Sequence, residues 1–153
     1  MRVTLDTNLL VYATDASSEK HAAANVLLER AAQADCVQTL QSLGECFHVL
    51  RRKRHLGLQL ACQAVENLRR LFPVVEHRLD DLDAAIAVVS AHQISFWDAM
   101  LWATAKRAGC RMILTEDFQD GRTLEGVTFV DPFNPENTRL LDLALPPANG
   151  ADP

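Results

Sequence analysis

The chain has 153 residues, of which 48% are hydrophobic and 23% are charged, and its formal net charge is −5. This balance is typical of one soluble globular domain that can bury its own core, and it excludes a disordered or fibrous chain. The acidic total also argues against a surface that is basic throughout, as many nucleic-acid binders have. It leaves open a local site where carboxylates surround metal ions and cations line the rim.

The residues from Met1 to Leu5 lead directly to Asp6, so we find no apolar stretch long enough for a signal peptide or a membrane span. We therefore expect a cytoplasmic protein. The cysteines contain no C-x-x-C pair, which argues against a zinc site or a disulfide framework. All four are expected to be reduced and buried: Cys36, Cys46, Cys62 and Cys110.

Short apolar runs typical of strands alternate along the chain with segments of helical periodicity. In chain order, the sequence predicts a strand at 3–5, helices at 9–13 and 19–32, a strand at 36–39, helices at 41–54 and 58–71, and a strand at 74–75. Helices at 80–92 and 95–108 and strands at 112–114 and 127–130 follow.

This alternation predicts an α/β fold with a central, mainly parallel sheet of about five short strands flanked by helices. We expect one domain over residues 1–145. Residues 146–153 have the composition of a disordered C-terminal tail.

Two acids follow predicted strands directly. Asp6 comes after the first strand, and Asp117 follows the apolar run 112–114. Ligands of open α/β sheets bind at the carboxyl ends of the strands, so both acids are candidate site residues. Asp6 could equally cap the next helix, and Glu116 and Asp120 are rivals of Asp117 in an acid-rich loop.

Two further acids lie on predicted helices. Asp98 is the one charge in the apolar segment 96–103, where an unpaired buried carboxylate would cost several kcal/mol. Ser95 three residues earlier offers a second explanation, a capping interaction at the helix start. Glu45 could be an ordinary exposed helix residue.

If these four acids meet at one edge of the sheet, they form an all-oxygen site for magnesium or manganese. Clustered carboxylates raise one another's pKa values, and divalent cations would keep them ionised. That chemistry indicates phosphoryl transfer or phosphodiester hydrolysis.

The order of these motifs resembles the PIN-domain family, and more narrowly the VapC-type toxins of bacterial toxin–antitoxin pairs. The resemblance covers nearly the whole chain. It depends on the segments 3–8, 96–99, 114–121 and 130–133, together with Ser42 and Glu45.

This resemblance implies a three-layer PIN-like fold and a Mg²⁺- or Mn²⁺-dependent endoribonuclease. Its metal-binding and catalytic acids would be Asp6, Glu45, Asp98 and Asp117. Asp120 could share the role of Asp117 as the fourth metal ligand. Supporting hydrogen bonds would come from Thr7, Asn8 and Thr115. The resemblance also implies a single-stranded or loop RNA substrate, a small antitoxin partner and a homodimer.

A basic run ends the helix that carries Glu45, about two turns further along. Its members, Arg51, Arg52, Lys53 and Arg54, are candidates for binding the RNA backbone. Cations at a helix C-terminus also stabilise the helix dipole, and the sequence leaves both explanations open.

Other metal-dependent classes fit less well. A receiver domain requires paired acids after its first strand, and a haloacid-dehalogenase phosphatase requires D-x-D, whose second position here is Asn8. A di-iron site would need two E-x-x-H motifs, but the chain has one, from Glu45 to His48. The strongest competing hypothesis is a PIN fold that binds RNA or a protein without cutting, which metal-dependent turnover would distinguish.

Overall fold

All the strands and helices predicted up to residue 130 are present in the computed structural model, which describes residues 1–147. The strands are β1 (Val3–Leu5), β2 (Cys36–Thr39), β3 (Val74–Val75), β4 (Met112–Leu114), β5 (Thr123–Leu124) and β6 (Val127–Val130). The helices are α1 (Thr7–Thr14), α2 (His21–Ala32), α3 (Leu40–Arg52), α4 (Leu58–Leu71), α5 (Leu79–His92), α6 (Phe96–Arg107) and α7 (Thr138–Ala144). A single 3₁₀ turn, Pro135–Asn137, precedes α7.

The strands form one sheet in the order β3-β2-β1-β4-β6-β5, and all neighbours are parallel except β5 and β6. The predicted α/β fold with a mainly parallel sheet is therefore confirmed. The sheet has six strands, one more than expected, because β5 and β6 form a tight hairpin. Its turn residues Glu125 and Gly126 have φ values of 45° and 83°, the left-handed pair that two-residue hairpins favour.

Helices cover both faces of the sheet and make three layers. On one face Leu5 and Leu114 pack in a buried cluster with residues of α1, α3 and α4. On the other face Ile113 and Phe129 pack with residues of α5 and α6. Burial of both faces explains why the strands are apolar runs without alternation.

The centre of the sheet determines where the site forms. Strands β1 and β4 are parallel neighbours with Leu5 opposite Leu114. The Asp6 N–H continues this pairing by donating to the Leu114 carbonyl at 2.9 Å. The residues that follow these two strands, Asp6 and Thr115, therefore lie side by side at the carboxyl edge.

A buried ion pair fixes the α5–α6 layer. Asp81 on α5 is 2% exposed and accepts bonds from Arg107 Nε and Nη2 on α6, at 2.7 and 2.8 Å. The backbone N–H of Arg78 and the hydroxyl of Thr104 also donate to it. Because the carboxylate is fully hydrogen-bonded, the pair locks α6 against α5.

The end of the domain is attached to α2. Arg30 donates to the carbonyls of Leu145 and Pro146 and to the Asp142 carboxylate, at 2.7 to 2.9 Å. The tail prediction for residues 148–153 lies outside the described residues.

The structure also bears on the predictions about the cysteines and about membrane-spanning segments. Three cysteines are buried, but Cys62 lies on the outward face of α4 and is exposed, so the expectation that all four are buried is wrong there. No helix formed by residues 1–147 has both the length and the apolar character needed to cross a bilayer.

Candidate active site

Asp6 lies between β1 and α1, at the carboxyl edge of the sheet, and caps the helix. Its backbone is extended, as an N-cap requires, and Oδ1 accepts a bond from the Thr7 N–H at 2.6 Å. Its other oxygen, Oδ2, accepts a bond from Thr115 Oγ1 at 2.8 Å. The capping role of Asp6 is therefore confirmed, and its role as a metal ligand stays a prediction.

The Asp6 carboxylate is electrostatically unfavourable in the metal-free protein. Burial raises its pKa from 3.8 to about 6, against the opposing effect of the bonds from Thr115 and Thr7. Repulsion from Asp117 and Asp98 raises the pKa further. The other two acids therefore lie near enough for Asp6 to sense their charge.

Glu45 is half-buried on α3 and accepts hydrogen bonds at both oxygens. Thr7 Oγ1 donates to Oε2 at 2.9 Å, and Gln41 Nε2 donates to Oε1 at 2.9 Å. Thr7 thus holds Asp6 through its N–H and Glu45 through its hydroxyl. The two acids come from different elements but share this one positioning residue.

The sequence analysis did not identify Gln41, which connects two parts of the site. Its Nε2 also donates to the Trp97 carbonyl at 3.0 Å, at the start of α6. The Glu45 carboxylate and the Trp97 carbonyl can only accept hydrogen bonds, so the side-chain nitrogen of Gln41, and not its oxygen, faces them. The i, i+4 spacing of Gln41 and Glu45 on one helix was the available signal.

Asp98 lies in the first turn of α6, half-buried, with its carboxylate bonded to the helix cap. Ser95 Oγ accepts from the Asp98 N–H at 3.2 Å and lies 2.7 Å from Oδ2, to which it donates. The capping interaction considered from the sequence is therefore present. It leaves Asp98 close enough to Asp6 to act on its pKa.

The three acids of the last loop have different surroundings. Asp117 accepts a bond from the Asn8 side chain, and its N–H donates to Thr115 Oγ1 at 3.2 Å. Glu116 is bonded by the Tyr12 hydroxyl and the Lys20 ammonium.

Asp120 is used by the structure that follows the sheet. Its carboxylate accepts from the Asp131 N–H at 2.9 Å and from the side chains of Asn134 and Asn137. Burial would raise its pKa, but these bonds outweigh burial and hold the pKa below its usual value. Asp120 thus holds the residues around the turn before α7, whereas Asp117 lies in the neighbourhood of Asp6.

This arrangement fits a hard divalent cation without forming a complete cage. Over residues 1–147, no three acidic, histidine or cysteine side chains stand close enough to surround an ion already. The carboxyl edge of the sheet supplies carboxylate oxygens as ligands. One of these carboxylates, Asp6, is buried and repelled by neighbouring acids, so a bound cation would stabilise its charged form. The donor set suits magnesium or manganese and not zinc.

The basic run lies at the other end of α3 from its start at the sheet edge. Arg54 pairs with Asp15 at 3.3 Å, and Arg51 donates to the Leu56 carbonyl at 2.6 Å. Arg52 and Lys53 are exposed. RNA binding by this run stays a prediction, carried mainly by Arg52 and Lys53, because Arg54 is exposed but paired with Asp15.

Comparison with known proteins identifies the family. The family model of the PIN domain matches residues 3–119, most of the chain. The protein therefore belongs to the PIN domain family, as the resemblance indicated. No curated protein matches it significantly.

Solved structures with the same fold include VapC toxins and their complexes. The Mycobacterium tuberculosis toxin VapC20, described as cleaving the sarcin-ricin loop, is 21% identical with a TM-score of 0.62, over 72% of this chain and 86% of that one. A toxin–antitoxin complex from Klebsiella pneumoniae is 19% identical with a TM-score of 0.62, covering 86% and 98%. DNA-bound VapBC from Salmonella typhimurium is 15% identical with a TM-score of 0.63, covering 86% and 98%. At these identities the likeness establishes a shared fold.

Proposed function

We propose that this protein is a metal-dependent endoribonuclease that cleaves RNA phosphodiester bonds, and that it is the toxin of a toxin–antitoxin pair. Membership of a nuclease-type family supports the first part. The fold shared with VapC toxins supports the second.

The observation that carries the proposal is the position of Asp6, which Thr7 links to Glu45 and Thr115 links to Asp117 at the carboxyl edge of the sheet. A carboxylate whose pKa is raised to about 6 by burial and by neighbouring acids is an unfavourable feature in a metal-free fold. It becomes favourable when a divalent cation neutralises the charge. Residues with strongly shifted pKa values are found most often at functional sites.

In this proposal Asp6, Glu45, Asp98 and Asp117 hold Mg²⁺ or Mn²⁺. The bound cation would supply Lewis acidity, which turns water into a nucleophile near neutral pH and neutralises charge on the phosphate.

The surrounding side chains orient these acids. Thr115 and the Thr7 N–H fix both oxygens of Asp6, and Asn8 holds Asp117. Such partners restrict each acid to one rotamer and reduce the cost of arranging ligands on binding. No side chain is required as a covalent nucleophile.

The substrate in this proposal is single-stranded or loop RNA, cut in the cytoplasm to leave a 3′-hydroxyl and a 5′-phosphate. A small antitoxin would neutralise the enzyme, and the enzyme would act as a homodimer. The antitoxin is supported by the complexes in which proteins of this fold are found.

The test is incubation of the purified protein with total RNA in Mg²⁺, in Mn²⁺ and in EDTA. The Asp6→Asn, Asp98→Asn double variant is the inactive partner, and Asp83→Asn, which removes an exposed acid elsewhere on α5, is the matched control. We expect discrete fragments with the wild type and the control, and none in EDTA or with the double variant. RNA left intact in both metals, but shifted in a gel, would identify a binding module instead.

The toxin role has a separate test in cells. Induced expression of the wild type without its partner is expected to arrest growth, and the double variant, expressed to the same level, is not. Equal growth of both strains would contradict the toxin assignment while leaving the nuclease assignment to the assay with purified RNA.

A further inference from the structure

Two aromatic side chains stand exposed at the start of α6, beside the acid Asp98. Trp97 is 60% exposed and Phe96 is 36% exposed. Their rings meet edge to face, with centroids 5.2 Å apart and an interplanar angle of 68°. We call this pair the aromatic platform.

Core packing does not account for the aromatic platform. The residues that follow on α6, from Ala99 to Ala105, are all buried. The other tryptophan, Trp102, is 1% exposed and donates its indole N–H to the Leu124 carbonyl at 3.1 Å. The helix therefore packs its large side chains where the fold needs them, and Trp97 is not among these.

The backbone that carries the platform is bonded to residues that also bond two of the candidate acids. Trp97 directly precedes Asp98 in the chain, and the Trp97 carbonyl accepts a bond from Gln41 Nε2. The same nitrogen bonds Glu45. Ser95 caps the helix just before the platform and bonds Asp98. The helix start that carries the two rings is thus held at the edge where the acids lie.

We propose that Trp97, supported by Phe96, stacks against an unpaired base of the RNA strand next to the bond that is cut. This inference rests on the proposed function and names how its substrate is held. A chain with a net charge of −5 gains little from a general attraction to phosphates, so another source of affinity is needed. Stacking on an aromatic ring is independent of charge and accepts any base, because every base has a π-face.

The stacking can be read directly, because the chain has two tryptophans and one is buried. The protein in EDTA is titrated with single-stranded RNA 8-mers of each base while tryptophan fluorescence and fluorescence anisotropy of a labelled RNA are followed. A ribose-phosphate 8-mer without bases is the matched ligand. We expect saturable quenching by the RNA but not by the abasic strand.

Variants separate stacking from other contacts. Trp97→Ala should weaken binding about 5- to 150-fold, which corresponds to the 1–3 kcal/mol that one stacked base contributes. Trp97→Phe should abolish most of the quenching while keeping affinity within a few-fold of the wild type. Leu143→Ala, which removes an even more exposed apolar side chain on α7, should change neither quantity.

Several results would overturn the stacking platform. These are no saturable quenching by any 8-mer, equal quenching by the abasic strand, or wild-type RNA affinity of Trp97→Ala. In the last case, a change of oligomeric state in sedimentation would assign the rings to a protein interface instead.

The readout in EDTA is independent of catalysis, so the two proposals fail separately. Quenching without any cleavage in metal would keep the platform and remove the nuclease. Cleavage without quenching would support the nuclease and rule out stacking on the aromatic platform.

Discussion

The Thr7 hydroxyl lies 2.9 Å from Glu45 Oε2 and donates a hydrogen bond to it, across 38 residues of sequence. The Thr7 N–H meanwhile bonds Asp6. One buried residue at the start of α1 therefore holds two acids, Asp6 through its backbone N–H and Glu45 through its side chain. Removing the hydroxyl should therefore release Glu45 while the backbone bond to Asp6 remains.

Replacing Thr7 by valine keeps its shape and removes the hydroxyl. We expect Thr7→Val to lower RNA cleavage and Mn²⁺ affinity by about 10- to 100-fold, the usual effect of losing a residue that orients a metal ligand. The cost in stability should be about 1 kcal/mol. Thr7→Ser, which restores the hydroxyl, should recover most of both losses. Calorimetric Mn²⁺ titration measures the affinity, and unchanged affinity in Thr7→Val would contradict the role.

Gln41 should affect the metal site without touching the metal. Gln41→Met keeps the length of the side chain and removes the donor shared by Glu45 and the Trp97 carbonyl. We expect Mn²⁺ affinity to fall by about 10-fold. Gln63→Met, an exposed glutamine on α4, is the control and should behave as the wild type. The role would be excluded if both variants bind Mn²⁺ equally well.

The raised pKa of Asp6 predicts a pH-dependent stability in EDTA. Between about pH 4 and pH 6 the folded state keeps a proton that the unfolded state has lost, so the free energy of unfolding falls as pH rises through this window. Above it the charged Asp6 costs on the order of 3 kcal/mol. Asp6→Asn removes this cost and should be more stable than the wild type at pH 8, but not at pH 4.

Urea unfolding at the two pH values measures this difference. Mn²⁺ at pH 8 should then stabilise the wild type and leave Asp6→Asn almost unchanged, because binding removes the same unfavourable charge. An advantage of the asparagine variant that is equal at pH 4 and pH 8 would show that its origin is not the Asp6 charge.

Asp117 and Asp120 should separate into a site residue and a structural residue. Asp120→Asn weakens the bonds that hold the turn before α7, so we expect it to lose about 1 kcal/mol of stability and to bind Mn²⁺ as the wild type does. Asp117→Asn should bind Mn²⁺ at least 10-fold more weakly with little change in stability. Weaker Mn²⁺ binding by Asp120→Asn and lower stability of Asp117→Asn would make Asp120 the site residue and Asp117 the structural one.

The Asp81–Arg107 pair should be necessary for stability and not for chemistry. Asp81→Asn leaves the Arg107 guanidinium, which is 24% exposed, without its charged partner and should cost about 1–3 kcal/mol. Hydrogen bonds hold the pKa of Asp81 below its usual value despite burial, so this stability is present at neutral pH and is lost as the pH falls through the folded pKa. Thermal unfolding at pH 7 measures the loss. A wild-type midpoint would contradict it.

Much of the fold could be predicted because its signals are local. Strand β4 and helix α4 agree with the sequence prediction at both ends, since an apolar triplet and a helix bounded by Gly57 and Pro73 are short-range patterns. Helix α7 and strand β5 were missed. Strand β5 is only two residues long and depends on pairing with β6, and α7 is held by its contacts with Arg30.

The site could be predicted only in part for the same reason. Acids at strand ends follow from topology, so Asp6 and Asp117 were accessible from the sequence. The choice between Asp117 and Asp120 depends on side-chain partners far along the chain, Asn134 and Asn137. The bridge made by Gln41 between two helices is likewise a tertiary contact, with only its spacing from Glu45 visible beforehand.

The order of strands in the sheet also governs when the protein can first act during its own synthesis. Strand β4 pairs with β1 on one side and β6 on the other, so the middle of the sheet closes only after residues 112–130 have left the ribosome. Asp6 emerges among the first residues but meets Thr115 and Asp117 only at that late stage. At typical rates of about 5–20 residues per second, the nascent chain stays without a complete site for several seconds. Under the proposed function, the chain is therefore unable to cut RNA until these last strands have paired.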